Sequence, residues 1–207
     1  MVLDLGSGAG IDILLAAQTV GSTGHVIGID MTDEMIAKAE KNIADSSLSN
    51  VEVRKGIIEE LPVETSSVDW VISNCVINLS PEKNRVFAEI ARVLKPGGRM
   101  LVSDIVVKDL PEFVLESQAL YNSCIAGAIS EKAYVEGLRN AGLEDVEVRE
   151  RLIYDATQLQ AFVSSELDRT ETSSYSNGQG SGVEAMNEIT TAMVGKVWSV
   201  KVGAVKP

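Results

Sequence analysis

The residues best suited to chemistry gather in the first thirty positions. Val2-Leu3-Asp4-Leu5 runs into Gly6-Ser7-Gly8-Ala9-Gly10, and a second apolar run, Val26-Ile27-Gly28-Ile29, ends on Asp30. Glycine at every second position lets the backbone approach a ligand closely, and the helical pattern that follows presents free N–H groups in its first turn. A strand-helix-strand unit of this kind is built around a nucleoside-containing ligand. A dinucleotide fingerprint requires G-x-G-x-x-G, but Ile11 stands where the last glycine belongs and Gly10 comes one residue early. Pyrophosphate is also poorly served by the Asp4 carboxylate, whereas a cation is well served. S-adenosylmethionine carries an amino group, a sulfonium and a ribose, and Asp30, twenty residues past Gly10, stands where a ribose-binding carboxylate belongs. A glycine-rich turn without a ligand is the bland alternative; it leaves acids at both strand ends unexplained.

The elements that position these residues read as alternating strands and helices over residues 1–107, the sign of a parallel α/β sheet. Expected strands are Val2–Leu5, His25–Asp30, Val51–Lys55, Val68–Asn74 and Arg99–Val106. Thr32 is expected to cap a helix with Asp33 and Glu34 in its first turn and Met35, Ile36, Ala39 and Ile43 on its apolar face. Ser80-Pro81-Glu82 opens another helix with proline at its first position, and Pro96-Gly97-Gly98 stops it. Beyond Asp104, Leu110–Cys124 and Ser130–Ala141 read as helices, Gly142 ends the second, and Leu143–Arg149 reads as a strand. Asp168–Gly182, rich in Ser, Thr, Gly and Asn, reads as a mobile loop, and Val197–Val205 as a final antiparallel edge strand. The expected division is a ligand-binding core over 1–107, with 108–207 completing the sheet and capping the substrate.

Ligands of an open α/β sheet bind outside the carboxyl ends of the strands. Those ends supply Asp4 to Gly10, Asp30 and Met31, Gly56 to Glu59, Ser73-Asn74-Cys75 and Asp104. On position alone Cys75 reads equally as a small buried residue closing a strand, and Cys124 as a core helix cysteine. Two thiols forty-nine residues apart lack the local spacing of a four-ligand zinc site. If both overhang one cleft, a soft, thiophilic substrate held by thiolates beside a methyl donor accounts for the pair. His25 reads as a solvated turn residue, Trp70 and Trp198 as core or edge packing, and Glu59-Glu60 as a solvated turn. Glu144, Asp145, Glu147 and Glu150 read as an exposed strand face.

The chain resembles the arsenite methyltransferases, S-adenosylmethionine-dependent enzymes of the class I fold. The resemblance rests on Val2–Asp12, on Gly28-Ile29-Asp30-Met31-Thr32, and on Ile72-Ser73-Asn74-Cys75-Val76-Ile77-Asn78-Leu79. It continues through Arg92–Arg99 and Cys124-Ile125-Ala126-Gly127-Ala128. The first and fourth blocks are general to class I methyltransferases; the blocks around the two cysteines are far more specific. The resemblance implies a Rossmann-like, mostly parallel seven-stranded sheet with one antiparallel edge strand and helices on both faces. It implies that Cys75 and Cys124 hold As(III) as thiolates. It further implies that Asp4 with the loop Gly6, Ser7, Gly8 and Gly10 holds the methionine part, and that Asp30 takes the ribose hydroxyls. Met31 then packs on the adenosine, and Asn74 lies at the cofactor. Ile57 occupies the place of an adenine-contacting acid, so the Ile58 backbone and Glu59 are expected to serve. A further family cysteine before the glycine motif has no counterpart here, so a third arsenic ligand is missing unless a small thiol substitutes. A small thiol reductant, or a thioredoxin- or glutathione-type partner, is implied to keep arsenic trivalent.

Net charge of −12 over 207 residues argues against nucleic acid or an anionic membrane as partner. No stretch approaches the ~18 apolar residues of a membrane span, and no secretory signal is visible. Two cysteines are too few for a disulfide scaffold, which makes a reducing cytoplasm the default. The glycine motif starts almost at Met1, so a fragment lacking helices that would lid the cofactor is expected. Two alternatives stay open: a methyltransferase for a small organic acceptor such as a quinone precursor, and a non-catalytic S-adenosylmethionine- or metalloid-binding protein.

Overall fold

The structure, a computed structural model, describes residues 1–115, 125, 127–171 and 181–207. Seven strands form one sheet: β1 (Val2–Leu5), β2 (Val26–Asp30), β3 (Val51–Lys55), β4 (Val68–Asn74), β5 (Leu94–Val107), β6 (Glu144–Ile153) and β7 (Val197–Val205). The helices are α1 (Ile11–Val20), α2 (Asp33–Asp45), α3 (Lys83–Val93), α4 (Glu112–Leu115), α5 (Glu131–Asn140), α6 (Ala156–Glu171) and α7 (Ser181–Met193). Strand order is β3-β2-β1-β4-β5-β7-β6. Strands β1 to β5 pair in parallel, and β7 runs antiparallel to both of its neighbours. The chain therefore winds outward from β1 in one direction and from β4 in the other, which opens a crevice at the carboxyl ends of β1 and β4.

Alternation along the strands divides the core. Leu3, Leu5, Val71, Met100, Val106 and Val202 face α3 and α5, whose Val86, Phe87, Ile90, Tyr134 and Leu138 are buried against them. Val2, Val26 and Val51 face the opposite way, onto Ile13 and Ala17 of α1. Farther along that second face, Ile105, Val107 and Val197 pack with Leu159 and Val163 of α6 and Met193 of α7. Burying apolar area on both faces is what a parallel sheet requires.

Several elements differ from expectation. The antiparallel strand β7 is not the edge; β6 stands outside it, and its exposed acids Glu144, Asp145, Glu147 and Glu150 suit that place. Helix α3 begins at Lys83, because Glu82 holds a non-helical backbone and Pro81 precedes the cap. Strand β5 starts at Leu94, since Pro96-Gly97-Gly98 is tied into it by pairing between Gly97 N–H and Lys206 O and between Lys206 N–H and Gly98 O. The span 168–182 is helical at both ends, in α6 and α7; residues 172–180 lie outside the described residues. Leu159, Phe162 and Val163 give α6 an apolar stripe that joins the packing around Ile105. Of the helix expected over Leu110–Cys124, Glu112–Leu115 is described, and Cys124 lies outside the described residues.

Candidate active site

The Gly6–Gly10 turn crosses the crevice because its backbone adopts left-handed conformations: φ is +68° at Gly6, +53° at Gly8 and +91° at Gly10. A side chain on Gly6 would overlap Val76, so the turn lies directly against the residue after Cys75. Gly8 N–H donates to Asp30 Oδ2 at 3.0 Å. Asp30 Oδ1 accepts from the Thr32 backbone N–H at 2.9 Å and from its hydroxyl at 2.8 Å. Thr32 thus caps α2 without a bond from its own side chain to the helix; the hydroxyl is spent on orienting Asp30.

Two hollows flank the turn. One, of about 300 Å³, is lined by Gly6, Asp30, Met31, Ile57, Ile58, Glu59, Val76 and Leu79 among others. Its far wall is held by α3. Glu89 accepts from Leu61 N–H, and Arg92 donates to the carbonyls of Leu61 and Val63 while pairing with Glu89 at 2.6 Å. Arg92 with the Leu61 amide behind it holds the Glu89 carboxyl below its ordinary range. Met31 is 65% exposed, an apolar side chain left open at the hollow's mouth. The other hollow, of about 350 Å³, lies between α1 and the sheet and is lined by Asp4, Asp12, Leu15, Ile72, Asn74, Ser103 and Lys201 among others. Asp4 is 2% exposed; burial, then the nearby Asp12 and Asp30, push its carboxyl up to about 8. Three acids converging on one turn make a field that a cation would relieve.

Cys75 follows β4 in the left-handed region, φ +55°, with its N–H donating to Ser103 O at 2.8 Å. Its side chain is partly buried and packs against the apolar cluster that contains Ile105 and Ile125. Beneath the turn, Asn78, Asp104 and Tyr134 form a buried polar group, and burial pushes the Asp104 carboxyl up to about 7. Burial and the neighbouring Asp104 raise the Tyr134 hydroxyl well above its ordinary value.

A sequence profile of the family described as "Methyltransferase domain" matches residues 1–142. The chain belongs to this methyltransferase domain family. An arsenite methyltransferase of Halobacterium salinarum is 53% identical over 148 residues, covering 71% of this chain and 38% of that protein. A demethylmenaquinone methyltransferase of Listeria monocytogenes is 30% identical over 137 residues, covering 65% and 58%. Among solved structures, an arsenic(III) S-adenosylmethionine methyltransferase from Chlamydomonas reinhardtii superposes with a TM-score of 0.74 at 32% identity, covering 99% of this chain and 62% of that one. The chain spans under half the length of the curated arsenite methyltransferases that it matches.

Within this methyltransferase domain the expected residues are divided. Gly6, Asp30, Met31, Ile58 and Glu59 share the first hollow, and Asp4 and Asn74 the second. Ser7 does not reach either: it is buried, and its hydroxyl turns toward β2, where a Cβ on Gly28 would stand 2.6 Å away. Gly10 faces Ala39 of α2 and serves as the entry to α1. Glu59 is not simply a solvated turn residue, since it accepts a hydrogen bond from the Ser80 hydroxyl. Asp104 lies inside β5 rather than at its end, because pairing with β7 carries the strand three residues farther. His25 stands beside Glu52 at 3.2 Å and lines neither hollow. Sequence reasoning passed over Asp12, Val76 and Leu79 as lining residues. An acid on the first turn after a glycine loop was the available signal for Asp12.

No helix among the described residues is long and apolar enough to cross a membrane. Those residues also contain no group of three or more metal-ligating side chains placed to hold a metal ion.

Proposed function

We propose that this methyltransferase domain transfers a methyl group from S-adenosylmethionine to trivalent arsenic held by the thiolates of Cys75 and Cys124. The observation that carries the reading is the contact between the Gly6 turn and Val76, which joins the cofactor loop directly to the Cys75 turn. The residues fit the cofactor: the buried Asp4, with Asp12 and Asp30 nearby, suits its cationic amino end, and a carboxylate oriented by three donors at Asp30 suits its ribose hydroxyls. When bound, S-adenosylmethionine supplies an electrophilic methyl group on a positively charged sulfur.

Asp30 orients the nucleoside end and Met31 covers it, while Asp4 and Asn74 take the amino-acid end across the glycine turn. Cys75, at the carboxyl end of β4, and Cys124 bind the arsenic through sulfur, the ligand that a soft acceptor prefers. Their thiolates leave the arsenic lone pair free to form the new As–C bond as the methyl–sulfur bond breaks, its electron pair staying on sulfur. The protein's share is orientation and exclusion of water. Arsenic rises by two in formal oxidation state, so a small thiol reductant, or a thioredoxin- or glutathione-type protein, closes the cycle by giving up two electrons as its thiols form a disulfide.

The test is S-adenosylhomocysteine formation with and without arsenite in the presence of a small thiol, with speciation of the arsenic products. Arsenite-dependent turnover to methylated arsenic is expected. Turnover that ignores arsenite but responds to a quinone precursor would transfer the reading to an organic acceptor. Saturable S-adenosylmethionine binding without turnover would leave a binding protein. Cys75→Ser should abolish arsenite binding and leave cofactor affinity nearly unchanged.

A further inference from the structure

The left-handed backbone of Cys75 is disfavoured for any residue with a Cβ, and such a conformation persists only where its surroundings over-determine it. The surroundings here are specific. Cys75 N–H is bonded to Ser103 O at 2.8 Å, and three residues on, inside the short 3₁₀ turn Ile77–Leu79, the chain places Asn78 with 2% exposure. Both amide hydrogens of Asn78 are used, on Asp104 Oδ1 at 2.7 Å and on Ile105 O at 2.6 Å. Asp104 Oδ1 also accepts from Ile105 N–H at 2.9 Å, and Oδ2 faces the Tyr134 hydroxyl at 3.4 Å. The span Cys75–Asn78 is therefore tied to three consecutive residues of β5.

The main chain of Asn78 is engaged as well. Its carbonyl accepts from Lys83 Nζ at 3.1 Å, and the same ammonium bonds Ser80 O at 2.8 Å. Gly127 sits on that carbonyl so closely that a Cβ would overlap it. We propose that Asn78 is a positioning residue for Cys75, clamping the turn that carries the thiol to the end of β5 and seating Gly127 on its carbonyl. Only asparagine satisfies the geometry. Aspartate has no hydrogen to give Ile105 O, and leucine removes both bonds from the turn to β5. Asn78 Oδ1 has no hydrogen-bond partner among the described residues, so the donors alone dictate the residue type. That the thiol so positioned binds arsenic rests on the function proposed above.

The test compares Asn78→Ala, Gly127→Ala and Asp104→Asn with the wild-type chain. The Cys75 alkylation rate with iodoacetamide is followed by peptide mass spectrometry, alongside arsenite affinity, S-adenosylmethionine affinity and circular dichroism. Asn78→Ala should raise the Cys75 alkylation rate at least fivefold and weaken arsenite at least tenfold, with S-adenosylmethionine still bound. Gly127→Ala should act in the same direction while leaving every Asn78 side-chain bond available, and it carries the test if Asn78→Ala does not fold. Asp104→Asn keeps the oxygen that Asn78 and Ile105 share, so it should behave like the wild type. Wild-type alkylation and arsenite affinity in the folded Asn78→Ala and Gly127→Ala variants would overturn the proposal. So would an Asp104→Asn variant as impaired as Asn78→Ala, which would put the effect on buried charge. If alkylation shifts as expected but no form binds arsenite, the clamp stands and the reading of the thiol as an arsenic ligand fails.

Discussion

Asp4 and Asp30 end neighbouring strands and carry the same carboxylate, yet their surroundings make them opposite devices. Asp30 is partly exposed and receives three hydrogen bonds, from Gly8 and twice from Thr32, all made before any ligand arrives. Asp4 is buried beside Asp12, and its carboxyl is pushed up to about 8 by desolvation and by the two neighbouring acids. The first is preorganised: its orientation is fixed and its remaining lone pairs can accept from hydroxyls. The second is a buried carboxyl that keeps its proton up to about pH 8, and a cationic group would hold it ionised. A ligand with a hydroxyl-bearing end and a cationic end, laid across the glycine turn, answers both.

The sharpest way to break this contrast is Asp30→Ala. Loss of hydrogen bonds to a charged acceptor should weaken S-adenosylmethionine by about 1.5–3 kcal/mol, roughly ten- to more than hundredfold, measured by titration calorimetry. Unchanged affinity would mean that the ribose lies elsewhere. Asp4→Asn should cost less affinity and should change the pH profile. A cation needs the ionised carboxylate, so wild-type affinity should climb by at most about tenfold per pH unit toward pH 8, then flatten; the variant should show no such climb. Stability of the ligand-free protein should run the other way. The folded-state carboxyls of Asp4 and Asp104 lie above their unfolded values, so the folded chain holds more protons across the intervening range. Stability is full below about pH 4, falls as pH rises, and levels off once it passes about 7 to 8. The melting temperature should therefore fall between about pH 4 and 8, less steeply in Asp4→Asn. The smallest effect is expected for Glu59→Gln, which keeps an acceptor for the Ser80 hydroxyl and should shift cofactor affinity by less than about 1 kcal/mol.

What could be read in advance follows the reach of the interactions involved. Strands β1 to β4 and helices α1 and α2 announce themselves by short apolar runs, glycine and acids at helix starts, all local signals. Helices α6 and α7 were hidden by Ser, Thr and Gly around residues 168–182, although Leu159, Phe162 and Val163 carried a helical stripe. The place of β7 inside the sheet was equally hidden, because two antiparallel neighbours and one look alike in a strand's own residues. Among the candidate residues, Asp30 and Met31 stood out in sequence by their distance from the glycine turn, and both line the first hollow. A polar residue inside a glycine loop reads as a ligand contact, whereas the Ser7 hydroxyl lies inward beside Gly28, a placement only the folded chain shows.

The order of residues by itself determined the nucleotide-type turn, its paired acids and the parallel start of the sheet, since each depends on backbone freedom and periodicity within some thirty residues. Tertiary structure alone decided that Asp4 and Asp30 face different hollows, that Val76 leans on Gly6, and that Asn78 ties the Cys75 turn to β5. Those facts depend on which buried groups are left with which neighbours once strands distant in sequence pair, and desolvation acts on groups only after that pairing has been made.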